Sequence, residues 1–274
     1  MTSTPVPTGP VALRQLRTDA PPGFTEAVLG RLGLRAEDAP GAGADRFVMV
    51  SGPAGELFVA FGDGGISAVV PAAVVGRDPQ RFAEHHRRAT GRAASPAPRP
   101  PAGLAAALRS GRATHLRYDL SGLTPFERAV LAKTLEIPSG EVRPYGWVAR
   151  EIGRPRAVRA VGSALGRNPV PVLIPCHRVV RSDGHVGNYG LGVPMKRALL
   201  SAEGVDLERL ERLAEAGVRF VGSDSTGVFC VPSCAHARRI RPAHEVTFKS
   251  AAAAEAAGFR ACTHCAPTSE AAAS

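Results

Sequence analysis

The sequence has no long hydrophobic run. Its longest nearly apolar stretch, Ile66 to Val75, is interrupted by Ser67 and Pro71, far short of the ~20 residues a membrane-crossing helix needs, so no membrane association is expected. No charged-then-apolar leader opens the chain: Met1 to Pro10 is rich in Thr and Pro, and Val11 to Asp19 carries Arg14 and Arg17. The expectation is a cytoplasmic protein. Lysine is nearly absent, with three residues, so almost all of the 34 basic side chains are arginine. Cysteine is scarce as well. Five thiols cannot pair off completely, and in a reducing compartment they point to metal ligands or nucleophiles rather than disulfides. No Gly-rich nucleotide loop is present, so no organic cofactor is expected.

What is present is a globular composition, 44% hydrophobic and 21% charged over 274 residues, enough for one large domain or two to three small ones. The net charge of +10 is uneven. Residues 1–125 hold 14 basic and 10 acidic side chains, residues 126–200 hold 12 and 5, and residues 201–274 hold 8 and 9. Eight arginines fall between Arg143 and Arg181, with Glu151 and Asp183 the acids close by. Such a stretch suits a surface that neutralises phosphates, although an arginine-rich composition contributes to it.

Residues 1–22, with five prolines, read as a flexible tail. Residues 23–120 read as an α/β domain. Short β-like runs at Arg46–Val50, Gly55–Phe61 and Gly65–Val70 are punctuated by glycine, with Asp63-Gly64-Gly65 a tight-turn signal. A helix is expected over Asp78–Thr90, followed by a proline-rich loop over Gly91–Gly103. Residues 121–204 change character. Thr124-Pro125-Phe126-Glu127 offers an N-cap, a first-position proline and an early acid, and Phe126, Val130, Leu131 and Leu135 share one helical face. Tyr145–Ile152 and Ala157–Leu165 form two short helices around Gly153-Arg154-Pro155-Arg156, which suggests a helix-turn-helix. The second carries Arg159, Ala160, Gly162 and other small residues, suited either to tight helix packing or to close approach to DNA.

Val170–Ile174 is a strand-like apolar run leading to Pro175-Cys176-His177-Arg178. An imidazole beside a thiol is the usual means of generating thiolate. On a regular strand the two side chains would point to opposite faces, so either the chain bends there or a water carries the proton between them. An isolated Cys-His pair is more often a buried inert cysteine. Here the segment Asn168-Pro-Val-Pro-Val-Leu-Ile-Pro-Cys-His-Arg-Val179 resembles the active-site segment of the O6-alkylguanine-DNA alkyltransferases, the methylated-DNA–protein-cysteine methyltransferases. The resemblance runs from about Gly122 through Arg156–Gly162 to Lys196–Gly204.

That resemblance implies stoichiometric repair of O6-alkylguanine, and by extension O4-alkylthymine, in double-stranded DNA by a single-turnover monomer. Cys176 would be the alkyl acceptor, His177 its base through water, and Glu203 the group that holds His177 in the right tautomer. Asn168 would brace the turn presenting Cys176, and Tyr145 would donate to the departing guanine. Backbone near Val179, Tyr189 and Gly190 would line the base pocket. Arg159 would fill the gap left by a flipped nucleotide, with Ala160, Gly162 and Arg154 beside it on the DNA face. Leu131 and Ser139 depart from the family, which usually carries tryptophan at the first position and frequently an aromatic at the second. A non-catalytic sensor of alkylated DNA, or a regulator of transcription, is the alternative.

Four cysteines remain: Cys230, Cys234, Cys262 and Cys265, a C-x3-C and a C-x2-C separated by 27 residues. Two short-spaced pairs suit tetrahedral zinc, and a module of this size needs such a staple. His236, His244 and His264 could compete as ligands. Residues 205–268 resemble the zinc-binding methylphosphotriester-repair domain of the bacterial adaptive-response protein Ada, through Ser225–Cys234, Glu245–Phe248 and Ala257–Pro267. In that family a cysteine matching Cys230 accepts methyl, so the resemblance leaves open either structural zinc alone or a second, phosphotriester activity. Val231 replaces the usual arginine, and the order of domains is inverted relative to Ada. The expected fold class is therefore an α/β N-terminal domain, a mainly helical alkyltransferase domain with a helix-turn-helix, and a small zinc-bound C-terminal module, with residues 269–274 a tail.

Overall fold

The computed structural model describes residues 43–267. The expected tails, and the start of the expected N-terminal domain, lie outside the described residues. The described chain begins with three antiparallel strands, β1 (Asp45–Gly52), β2 (Gly55–Gly62) and β3 (Gly65–Pro71). Gly62 pairs with Gly65 across the Asp63-Gly64 turn. Side chains of β2 alternate as a two-sided strand must: Phe58 and Ala60 face one core cluster, and Leu57, Val59 and Phe61 face another. A single turn, α1 (Ala72–Val75), leads to α2 (Pro79–Thr90). Asp78 caps α2 by accepting from Gln80 N–H at 2.8 Å, and Pro79 occupies its first position.

The proline-rich stretch after α2 is not wholly loop. Ala94–Pro96 forms β4, parallel to β1 at the sheet edge, giving the order β3-β2-β1-β4. An edge strand tolerates proline because one row of its donors has no strand to pair with.

Helix α3 (Leu104–Ser110) precedes the helical middle of the chain: α4 (Pro125–Leu135), α5 (Tyr145–Glu151), α6 (Val158–Gly166) and α7 (Val193–Ala202). Thr124 and Glu127 form a reciprocal capping box at the start of α4. The two-residue strands β5 (Arg143–Pro144) and β6 (Val179–Val180) pair in parallel and fasten the chain ahead of α5 to the segment after His177. One core cluster joins Leu57 and Val69 of the sheet to Val130, Leu131, Val161 and Cys176. The N-terminal sheet therefore backs the helical part directly, and Val69 N–H bonds the Pro169 carbonyl at 2.9 Å.

The last part comprises α8 (Leu207–Glu215), strands β7 (Phe220–Ser223), β8 (Val228–Cys230) and β9 (Glu245–Phe248), α9 (Ala251–Ala256) and β10 (Arg260–Ala261). Its sheet order is β10-β8-β7-β9. Its two core clusters are small, and one contains all four of Cys230, Cys234, Cys262 and Cys265. Among the described residues no helix is long and apolar enough to cross a membrane.

Candidate active site

The strand expected over Val170–Ile174 is instead a tight turn closed by a bridge between Pro171 and Ile174, with Val172 at φ +74°. Pro169 and Pro171 cannot donate to a ladder, and Asn168 takes over the polar groups. Its Oδ1 accepts from Val170 N–H at 3.0 Å, and its Nδ2 donates to the Ile174 carbonyl at 2.9 Å. The same Nδ2 lies 3.1 Å from Cys176 Sγ. The turn delivers Cys176 into a 3-10 helix, Cys176–Arg178. The chain therefore bends at Cys176 and His177 and does not continue as a strand.

Cys176 and His177 are both buried. His177 Nε2 lies 2.9 Å from Glu203 Oε1. With Glu203 ionised, Nε2 carries the proton and donates it, leaving Nδ1 as the basic nitrogen. Nδ1 is buried and has no hydrogen-bond partner among the described residues. Burial pushes the Glu203 carboxyl up, but bonds from His177 and Arg178 outweigh burial and hold it at about 2. Burial also pulls His177 below its usual range despite Glu203, so the ring is a neutral acceptor at neutral pH. The Cys176 thiol is pushed up by burial and drawn back in part by Asn168, by Tyr189, whose hydroxyl is 3.8 Å from Sγ, and by the Lys196 charge. A buried thiol beside a neutral imidazole has a base at hand but is not itself ionised.

Of the other residues expected here, Tyr189 stands edge-on to His177 with ring centroids 6.5 Å apart. Burial pushes the Tyr189 and Tyr145 hydroxyls up and keeps both protonated. Tyr145 begins α5, and a Cβ placed on Gly162 would sit 3.8 Å from its ring, so α6 approaches Tyr145 where its side chain is absent. Val179 is fully buried and Gly190 exposed. On α6, Val161, Ala164 and Leu165 turn inward, while Arg159 and Ala160 are exposed, as is Arg154 in the preceding turn. The small-residue helix thus uses one face for packing and offers the other outward.

Two buried cations next to the acceptor segment, Arg178 and Lys196, escaped sequence reasoning. Arg178, 2% exposed, donates from Nε and Nη2 to both Glu203 oxygens at 2.9 and 2.7 Å, and to the carbonyls of Ile137 and Gly111. Lys196 is fully buried and donates to the carbonyls of Val179, Val186 and Asn188 at 2.7, 2.6 and 3.3 Å, with burial lowering its ammonium to about 8. Both lie inside the segments that carry the family resemblance, which was the available signal.

Downstream, the four remaining thiols converge. Cys230, Cys234, Cys262 and Cys265 are all buried, with their sulfurs within 4.8 Å of one another. Bonds with Cys234 and Cys265, and then burial, push the Cys230 thiol up, while the same contacts pull Cys234 down. Four crowded sulfurs ionise together only around a cation, and four thiolates within this reach fit tetrahedral zinc. His236 Nδ1 is 3.4 Å from Cys262 Sγ, whereas His264 Nε2 faces Glu141 at 3.0 Å and His244 faces Asp224 at 2.8 Å. The two pairs of cysteines are therefore sufficient without histidine.

Two family models match the regions that hold these residues. Residues 125–205 match the family described as 6-O-methylguanine DNA methyltransferase, DNA binding domain, and residues 210–268 match the metal binding domain of Ada. The chain carries these two domains, in that order. The methyltransferase domain is similar to the methylated-DNA–protein-cysteine methyltransferase of Mycobacterium bovis, 49% identical over 88 residues, 32% of this chain and 53% of that one. It is also similar to that of Shigella flexneri, 42% identical over 109 residues, 38% of this chain and 64% of that one. The chain spans about half the length of the curated relatives first matched. A crystal structure of Mycobacterium tuberculosis OGT in complex with DNA superposes with a TM-score of 0.46 at 31% identity, covering 61% of this chain and 99% of that one.

Proposed function

We propose that the protein repairs alkylated DNA directly, by moving the alkyl group of O6-alkylguanine onto Cys176. The observation that carries this reading is the buried Cys176 thiol held by Asn168, next in sequence to a buried His177 whose Nε2 is bonded to Glu203 and whose Nδ1 is unpaired among the described residues. His177 Nδ1 takes the Cys176 proton through one water. The thiolate attacks the alkyl carbon, an S–C bond forms, and the bond between that carbon and O6 breaks. Guanine leaves with a proton supplied at its edge by Tyr145, Glu203 stabilises the imidazolium meanwhile, and the imidazolium proton returns through water to restore the Tyr145 hydroxyl and neutral His177. The product is a thioether that offers water no carbonyl to attack, so each protein acts once. The same attack extends to O4-alkylthymine, which presents an equivalent ether carbon.

Because that carbon lies inside the duplex, the nucleotide is flipped out at the cost of a few kcal/mol of stacking. Arg159 fills the gap, Ala160 and Gly162 allow close approach, and Arg154 meets the backbone. The base rests against the Val179 backbone, Tyr189 and Gly190. The functional division is residues 23–120, 121–204 and 205–268, acting as a cytoplasmic monomer. The four-cysteine set holds zinc in a structural role, a reading favoured by the burial of Cys230 at 2% exposure.

The test is incubation with a duplex carrying one O6-methylguanine, followed by peptide mapping for a gain of one methyl group. The expected site is Cys176. Unmodified Cys176 in folded protein that still binds the lesion would overturn the reading in favour of a sensor. Methyl on Cys230 from phosphotriester DNA would overturn the purely structural role of the zinc site.

A further inference from the structure

The zinc-binding domain and the acceptor site meet in the loop between α4 and β5. Glu141 in that loop is 1% exposed, and its two oxygens are divided. Oε1 accepts from Ala235 N–H, next to the ligand Cys234, and from His264 Nε2, next to Cys265, each at 3.0 Å. Oε2 accepts from buried Arg143 at 2.6 Å. Beside it, Val142 N–H donates to Ser233 Oγ at 3.0 Å, and Ser233 returns a bond to the Val142 carbonyl at 3.1 Å. On the other side, Gly140 N–H donates to Glu203 Oε2 at 3.4 Å, and the Gly140 carbonyl accepts from Arg238. A Cβ on Gly140, at φ +79°, would come within 2.9 Å of the Glu203 carbonyl. Arg143, two residues on, pairs with Val179 in the β5–β6 ladder. Three consecutive residues thus touch the zinc ligands' loop and the carboxylate that orients His177.

We propose that Glu141 is a positioning residue for the transfer reaction, and that the metal-holding loop acts through it to keep Glu203 against His177. The inference rests on the proposed use of Cys176 and His177. A buried carboxylate keeps its place only while its donors are present. Two of its three donors come from the zinc-binding domain, and they are held where they are by ligands adjacent in sequence. Without them Glu141 must leave its seat. Gly140 then moves with it, and Glu203 loses its amide contact and the wall behind it.

The experiment uses the full-length, zinc-loaded chain labelled with 15N-histidine. The ring-nitrogen shifts of His177, assigned by their loss in His177→Gln, are compared between wild type, Glu141→Ala and Ser233→Ala. Methyl transfer from an O6-methylguanine duplex is timed in parallel. Expected are altered His177 ring shifts and transfer slowed at least fivefold in Glu141→Ala, with Ser233→Ala altered in the same direction and one zinc retained in each. Chelation of the metal from wild type should alter the same His177 resonances. Unchanged His177 shifts and wild-type transfer rates in both variants would overturn the proposal. Should Glu141→Ala fail to fold, Ser233→Ala decides by the same readings. If wild type itself transfers no methyl, the repair reading fails, while the His177 shifts still decide whether the two sites are coupled.

Discussion

Asn168 reaches Cys176 directly, its Nδ2 lying 3.1 Å from the sulfur while the same group bonds the Ile174 carbonyl at 2.9 Å. One amide therefore both shapes the turn and solvates the sulfur's negative form. Asn168→Ala is expected to leave the Val170 N–H unpaired and the Ile174 carbonyl with the Cys176 N–H as its remaining donor, and to lower stability by about 1–3 kcal/mol. It should also push the Cys176 thiol further up. Thermal unfolding checks the first effect, and the rate of Cys176 alkylation by iodoacetamide, followed by peptide mapping, checks the second.

Acid should weaken the fold in two steps. Burial depresses the His177 imidazole below its ordinary 6.5 in the folded protein, so its contribution is present above that value and declines as pH falls below it. Glu203, held at about 2 against an ordinary 4.5, contributes above about 4.5 and loses its contribution as pH falls toward 2. A shift of that size in a largely buried carboxylate corresponds to on the order of 3 kcal/mol. Urea midpoints between pH 8 and pH 3 should fall for wild type. The lower step should be smaller in Glu203→Gln, the remainder coming from other depressed carboxylates such as Glu127 and Asp45.

About one zinc per chain is expected, released on replacement of Cys262 or Cys265. Metal analysis of purified protein checks the stoichiometry. Because the two core clusters around these cysteines are small, metal loss should unfold the region after residue 205 before the N-terminal sheet, which circular dichroism during chelation would follow.

Much of this was legible in the sequence because it is local. Thr124, Pro125 and Glu127 open α4 where their spacing predicts, and the cysteine pairs converge as their intervals suggest. What was not legible depends on partners distant in the chain. Arg178, Lys196 and Glu141 resemble surface charges until Glu203, the Val179 carbonyl and Ala235 are brought to them. Val170–Ile174 has a strand's apolar composition, but its flanking prolines and Asn168 satisfy the backbone as a turn. β4 is not evident from the sequence because its paired residues in β1 lie about fifty residues earlier.

Arg159 and Arg154 should behave differently. Both are exposed, so replacing either with alanine should change stability by less than about 0.5 kcal/mol. Arg159→Ala is expected to reduce discrimination between a lesion-bearing and an undamaged duplex. Arg154→Ala should weaken both alike and lower the salt-dependence slope by about one. Competition binding across a salt series separates the two.

Lys196→Met keeps the aliphatic stem but removes the donor shared by Val179, Val186 and Asn188. A loss on the order of 3 kcal/mol is expected, with faster hydrogen exchange over residues 186–192, the stretch that carries Tyr189. Exchange measured by mass spectrometry on peptides from this stretch provides the check.

Trp147, the sole tryptophan, stands on α5 with the Arg143 guanidinium 5.7 Å and the Lys133 ammonium 6.0 Å from its ring. Arg143 is the partner of Glu141, and α5 is the first helix of the helix pair. The protein therefore contains its own optical reporter: a single indole whose emission samples the charge arrangement between the two domains. Rearrangement of that seam, or engagement of the helix pair, can be followed in real time by intrinsic fluorescence without attaching a dye.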